Sequence, residues 1–195
     1  MSRFFLIGLL VFSLSIPSEA QEFNQRISLR KGNIGATLPI TGIGTLLTDV
    51  YRPYLEIGHG WALRQREHHS FWLDVNLGYF NHRFIQQALP LMASLQYNYH
   101  FNQKISAFSA LNAGYIHAFP HEGRFVVNDQ GAYEKKRSLG RPQAGFGISL
   151  GGNYKLDHRL SAQLSYNVLM QAPFVNTYVP LLPYGILQVG VQYLL

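Results

Sequence analysis

Three groups of side chains in this 195-residue sequence carry nucleophiles, bases or cations at spacings that could do chemistry. His68, His69 and Ser70 are consecutive, and a serine next to a histidine base is the start of acyl-transfer chemistry when a carboxylate orients the imidazole. Adjacent residues of an extended strand point to opposite faces, however, so His69 and Ser70 cannot meet there. His117 and His121 are spaced as a possible metal pair, but a zinc site needs a third protein ligand and the sequence identifies none. The third group is Lys135, Lys136, Arg137 and Arg141 beside Phe125, Tyr133 and Glu134, cations that could grip phosphates or an acidic surface. The sequence therefore assigns no catalytic residue, no cofactor and no metal, and its leading reading is non-enzymatic.

The elements that position these groups follow from the rest of the chain. Residues 1–20 hold Arg3, the apolar run from Phe4 to Ile16, and Ser18-Glu19-Ala20, the layout of a secretory signal peptide cleaved before Gln21. A membrane anchor would need about 20 apolar residues, more than this run has. Domain 21–195 is expected to follow as one unit. The chain has no cysteine, which removes disulfides, thiolate metal sites and cysteine nucleophiles together. Net charge is +6 while only 13% of residues are charged, too few for an ordinary soluble surface. Export disfavours nucleic acid as the partner of that basic balance, and leaves phosphate-bearing surface polymers such as lipopolysaccharide.

Within 21–195, apolar and polar residues alternate with period two over at least seven segments. Leu89, Leu91, Ala93, Leu95, Tyr97, Tyr99 and Phe101 share one parity against Met92, Ser94, Gln96, Asn98 and His100, which predicts a strand with one greasy face. The same pattern covers Tyr54 to Arg64, Phe71 to Phe80, Ala144 to Leu156, Leu160 to Gln171 and Leu187 to Leu195. From Lys104 to Ala118 it weakens, because Phe108 and Ile116 fall on the polar side. A strand near Gln25 to Gly35, with Ile27 and Leu29 opposite Ser28 and Arg30, completes an even count of eight. No later apolar run reaches the length of a spanning helix.

A soluble ligand-binding barrel of the lipocalin kind would show the same period with its greasy face inward. Here the polar parity is mostly Gly, Ser, Asn and Gln rather than Lys and Glu, which suits a crowded interior and turns the greasy face to lipid. Short connections at Gln65–His69, Asn102–Lys104 and Asp157–Arg159 alternate with longer ones at Ala36–Pro53, Asn81–Gln87, Phe119–Arg141 and Ala172–Pro183, as periplasmic turns and external loops do. The apolar Ala172–Pro183 loop is expected to fold over the mouth or to dock on a partner. Trp61, Phe71, Tyr99, Phe101, Tyr154 and Tyr193 collect near the ends with short turns, where an interfacial girdle belongs. The expected architecture is all-β: an eight-stranded antiparallel up-and-down transmembrane β-barrel. Such a barrel is filled by side chains rather than open as a pore, so Glu56, Arg64, Asp74, Gln96, Asn98, Lys155, Gln163 and Asn167 are expected to satisfy one another as a polar network in the lumen.

The blocks Tyr51-Arg52-Pro53, Glu56-Ile57-Gly58, Leu77-Gly78-Tyr79-Phe80-Asn81-His82-Arg83, Ser138-Leu139-Gly140-Arg141-Pro142-Gln143 and Pro173 to Pro183 resemble a family of uncharacterised outer-membrane β-barrel proteins of Bacteroidota-type bacteria. The resemblance implies the cell outer membrane and a barrel, and carries no activity with it. The functional expectation is a non-enzymatic outer-membrane protein that stabilises the envelope or binds a surface ligand or partner through its external loops. The alternative is a lipid-modifying enzyme acting on lipid A or phospholipid acyl chains, for which nothing around His69-Ser70 resembles a deacylase or palmitoyltransferase signature.

Overall fold

The structure is a computed structural model and describes residues 24–36, 43–48, 50–83, 85–120, 124–127, 133–136, 140–174 and 180–195. In chain order the elements are β1 (Gln25–Gly35), a single helical turn α1 (Thr45–Thr48), β2 (Pro53–Gln65), β3 (His69–His82), β4 (Gln86–His100), β5 (Ile105–Pro120), β6 (Arg124–Val127), β7 (Tyr133–Lys136), β8 (Arg141–Lys155), β9 (Leu160–Ala172) and β10 (Leu182–Leu194). Eight of the strands close a barrel in the order β1-β10-β9-β8-β5-β4-β3-β2, while β6 and β7 pair as a separate hairpin. Every barrel pairing is antiparallel, including the closing pair in which Ile27 faces Tyr193 and Leu29 faces Val191. The expected signal segment, 1–20, lies outside the described residues.

Closure matters because a bilayer offers no partner to an unpaired backbone amide, and a ring of strands leaves no edge. Period two then sorts side chains to two environments. Leu95 is 46% exposed and Gln96 3%; Leu164 is 56% and Gln163 4%; Val189 is 53% and Gln188 1%. The greasy parity therefore forms the outer wall and the amide parity the interior. Among the described residues no helix is long and apolar enough to cross a membrane; the strands make the crossing. Lys31 is an outward-facing charge of β1, and its four-carbon stem can run along the apolar wall toward an interface. At mid-strand on β5, Leu111 is among the most exposed apolar residues of the wall. Its replacement by arginine is expected to cost about 2–4 kcal/mol in a bilayer, measurable by urea unfolding from phospholipid vesicles.

Two local irregularities bear on the interior. Pro90 lies inside β4, where it cannot donate to the ladder, and the β3–β4 pairing is interrupted between Leu77↔Leu91 and Phe80↔Ala88. Gly78 makes room there, since a Cβ on it would lie 2.9 Å from the Pro90 ring and 2.7 Å from the Tyr54 hydroxyl. In β2 a bulge separates the pairs Ala62↔Trp72 and Arg64↔Phe71. One extra residue reverses the parity beyond it, so Arg64 shares the outward side with Phe71 and is exposed. The expectation that Arg64 belongs to the lumen is corrected by this bulge.

The interior is layered. At the loop end, inward-facing Ile34, Tyr54, Phe80, Ile116, Tyr184 and Ile186 form the centre of a buried apolar cluster with Ala88, Met92, Ala118 and Leu169. Tyr54 stacks near Phe80 with ring centroids 6.2 Å apart, and Phe80 meets Tyr184 at 5.4 Å. This cluster plugs the barrel. Three amides lie over it: Gln86 Nε2 donates to Gln171 Oε1 at 2.7 Å and to the Tyr184 hydroxyl at 3.1 Å, and Gln171 donates to Gln143. Gln143 in turn donates to the Pro173 carbonyl at 2.6 Å, which ties the start of the β9–β10 loop to the mouth.

Candidate functional site

Below the plug, two arginines of β1 organise the lumen. Alternation sends Arg26, Ser28 and Arg30 inward together, and the register places Gly60 and Glu56 of β2 beside the two arginines. Arg26 makes a two-pronged pair with Asp74, Nε to Oδ1 at 2.9 Å and Nη2 to Oδ2 at 2.7 Å, with its guanidinium carbon 4.3 Å from the Trp72 ring centroid. Gly60 lies between them: a Cβ there would sit on Asp74 Oδ1 and 3.0 Å from Arg26 Nε. One turn of side chains higher, Arg30 Nη2 lies 3.0 Å from Glu56 Oε1, and donates to Asn76 Oδ1 at 2.6 Å and to Ser28 Oγ at 3.1 Å. Tyr54 donates to Glu56 Oε2 at 2.6 Å, joining the ionic layer to the plug. Bidentate, charge-assisted contacts of this kind fix geometry as well as energy.

The lumen residues expected from sequence are placed as follows. Glu56, Asp74, Gln96, Asn98, Gln163 and Asn167 are buried inside the barrel. Gln96 donates to Asn98 Oδ1 at 2.6 Å, and Asn167 donates to Gln188. Gln163 keeps both side-chain amide atoms without a partner. Lys155 ends β8 and is exposed at the turn-side mouth, because the strand finishes one residue before the turn. The carboxylates are thus partnered by Arg26 and Arg30 rather than by Arg64 and Lys155. Arg26 and Arg30 were legible as the inward parity of the first strand.

Ser70 meets a histidine, though not its neighbour. His69 faces outward, with Nδ1 2.7 Å from the Tyr97 hydroxyl, whereas Ser70 Oγ lies inside the barrel 3.1 Å from His100 Nε2. The same oxygen accepts from Trp72 Nε1 at 3.2 Å and from Asn98 Nδ2 at 3.1 Å. Two accepted bonds and one donated bond fill the capacity of a hydroxyl, so no lone pair faces a carbonyl carbon. Asp74, on the same strand, is committed to Arg26, and among the described residues no carboxylate bonds to His100.

The short-turn end opens as a cup of about 740 Å³, with Arg26, Trp72, Ser106 and Asn153 among its inner lining and Arg66, Lys104, His158 and Arg159 at the turns. At the opposite end, β6 and β7 project from the β5–β8 connection, with Arg124 paired to Lys136 and Phe125 to Lys135. Arg141 begins β8 and reaches the Phe174 carbonyl at 3.4 Å; Arg137 lies outside the described residues. The hairpin is absent from the expected strand set because two four-residue strands carry too little alternation to stand out. His117 faces outward, hydrogen-bonded to Tyr115 at 2.7 Å, and His121 lies outside the described residues. Among the described residues no cluster of three or more His, Cys, Asp or Glu side chains could hold a metal.

No family model and no curated protein matches the sequence. Solved structures do resemble the fold. Neisserial surface protein A is 15% identical, with 90% of this chain and 99% of that one aligned at a TM-score of 0.55. The outer-membrane enzyme PagL aligns at 10% identity and TM-score 0.48 over 86% of this chain and 98% of its own. Ail of Yersinia pestis aligns at 11% and 0.46 over 88% and 97%. The chain is an eight-stranded barrel of the outer-membrane type, and its apolar outer wall is a bilayer-facing surface.

Proposed function

We propose that the chain is a non-enzymatic protein of the outer membrane that binds an anionic surface ligand, lipopolysaccharide phosphate first among them, through its external loops. The observation that carries this reading is the β6–β7 hairpin, whose register brings Arg124 opposite Lys136 and Phe125 opposite Lys135, next along the chain to Arg141 at the rim. A side-chain plug supports it, because a barrel closed at the loop end offers its ends, not its lumen, to partners. Residues 1–20 then serve as the export signal, and the sequence blocks from Tyr51 to Pro183 favour a Bacteroidota-type, Gram-negative envelope.

The Ser70–His100 contact favours the second reading, a lipid acyl hydrolase or transferase, and the filled coordination of the Ser70 oxygen weighs against it. One experiment separates the two. Binding of purified lipopolysaccharide to the nanodisc-embedded chain is expected to weaken about tenfold in K135Q/K136Q/R141Q and to fall with added salt, while S70A leaves envelope acyl-chain composition as in wild type. Unchanged binding in the triple variant contradicts the ligand-binding reading; altered acylation in S70A supports the enzyme.

A further inference from the structure

The cup at the short-turn end is lined by charged and polar side chains. We infer that it takes a phosphorylated polyol, a ligand with one or more phosphates on a hydroxyl-rich body, presented from the side of the membrane that the short turns face. This goes beyond the loop-end reading, since the two sites lie at opposite ends of the barrel.

Charge comes first. With Arg26 paired to Asp74 and Arg159 held in a contact of its own, the cations left to the cup are Arg66, Lys104 and Lys155, and the carboxylate among its lining is Glu67. A concave wall with an excess of positive charge focuses the field on an anion.

Rigidity comes second. The turns that carry the cations are fastened by their own backbones: Arg66 N donates to the His69 carbonyl at 2.8 Å, Lys155 N to the Lys104 carbonyl at 2.8 Å, and Leu194 N to the Arg159 carbonyl at 2.8 Å. Asn102 Oδ1 accepts from the amides of Lys104 and Ile105, both at 2.8 Å. The backbones that carry Lys104 and Lys155 are thus held side by side at the mouth, and the ordering that binding still demands is that of the side chains.

The floor specifies more than charge. Asn153, in the lining of the cup, donates through Nδ2 to Ser106 Oγ at 3.3 Å and leaves Oδ1 without a hydrogen-bond partner. A buried acceptor left idle is costly unless a guest supplies a donor. Hydroxyl groups do so and bare phosphate does not. The volume, about 740 Å³, lies within the range of small-molecule sites.

Trp72 lines the cup, and the chain has two tryptophans, so W61F leaves a single reporter at the site. The full chain carrying W61F, folded in a neutral maltoside detergent, is titrated with fructose 1,6-bisphosphate, with dihexanoyl phosphatidylglycerol and with fructose. The expected result is a saturable change in Trp72 emission with at least one phosphorylated probe and none with fructose. K104Q/K155Q weakens that binding about tenfold, whereas K104R/K155R retains it and K135Q/K136Q/R141Q leaves it unchanged. Tighter binding of the bisphosphate assigns a soluble sugar phosphate, and tighter binding of the lipid assigns a headgroup. No saturable change with either phosphorylated probe overturns the inference, as does equal affinity in K104Q/K155Q shown to be folded by heat-modifiable gel mobility.

Discussion

Replacing Asp74 by alanine is expected to destabilise the barrel by about 3–5 kcal/mol, because it leaves the buried Arg26 guanidinium without its carboxylate. Asp74 is the two-pronged acceptor of that side chain, and Trp72, 4.3 Å away, cannot replace a counter-charge. The double variant R26M/D74L removes both charges together, and its stability is expected to return to within about 1–2 kcal/mol of wild type, since apolar isosteres of a buried pair often cost little. Urea titration of the refolded chain, followed by heat-modifiable gel mobility, reads both. A D74A barrel as stable as wild type would show that water in the adjoining cup hydrates Arg26 and that the pair does not hold the strands together.

Phe80 to alanine is the second large effect, about 3–5 kcal/mol for a cavity in a fully buried aromatic cluster. Phe80 is wholly buried and touches Tyr54 and Tyr184, whose hydroxyls end in the ionic layer and the glutamine bridge respectively. Its removal therefore loosens the plug and both polar attachments. F80A is expected to unfold at lower urea than L77A, because Leu77 lies on the bilayer-facing wall, 49% exposed, where truncation leaves lipid in place of a void. Equal losses from the two variants would mean that the loop end of the lumen is not close-packed.

Much of this arrangement is readable from alternation. The strand expected at Gln25 to Gly35 is β1 residue for residue, and all eight expected strands close the ring, because a two-residue period repeated at lipid-facing length admits few other folds. The plug was written in the same parity. Trp72, Phe80, Met92, Phe108 and Ile116 all fall on the polar side of their strands, and taken singly they look like noise. Cross-strand register, which one strand does not carry, gathers Phe80, Met92 and Ile116 at one end, and places Trp72 beneath the ionic layer. Arg64 escaped for a related reason: the bulge at Ala62/Arg64 reverses parity, and no glycine or proline announces it. The Ser70–His100 contact spans 30 residues and depends on β3 and β4 pairing Ser70 with Asn98, so no local pattern announces it.

The central claim is that hydrocarbon surrounds the ring while polar side chains line its turn-side half. A chain without cysteine allows single cysteines to be placed at will, and spin labels at positions 95, 164 and 189 can be compared with labels at 96, 163 and 188 in phospholipid vesicles. Collision with oxygen, which concentrates in the bilayer, is expected to dominate relaxation at the first set and to be weak at the second. The reverse pattern, with Leu95, Leu164 and Val189 shielded from oxygen and their neighbours open to it, would contradict the account.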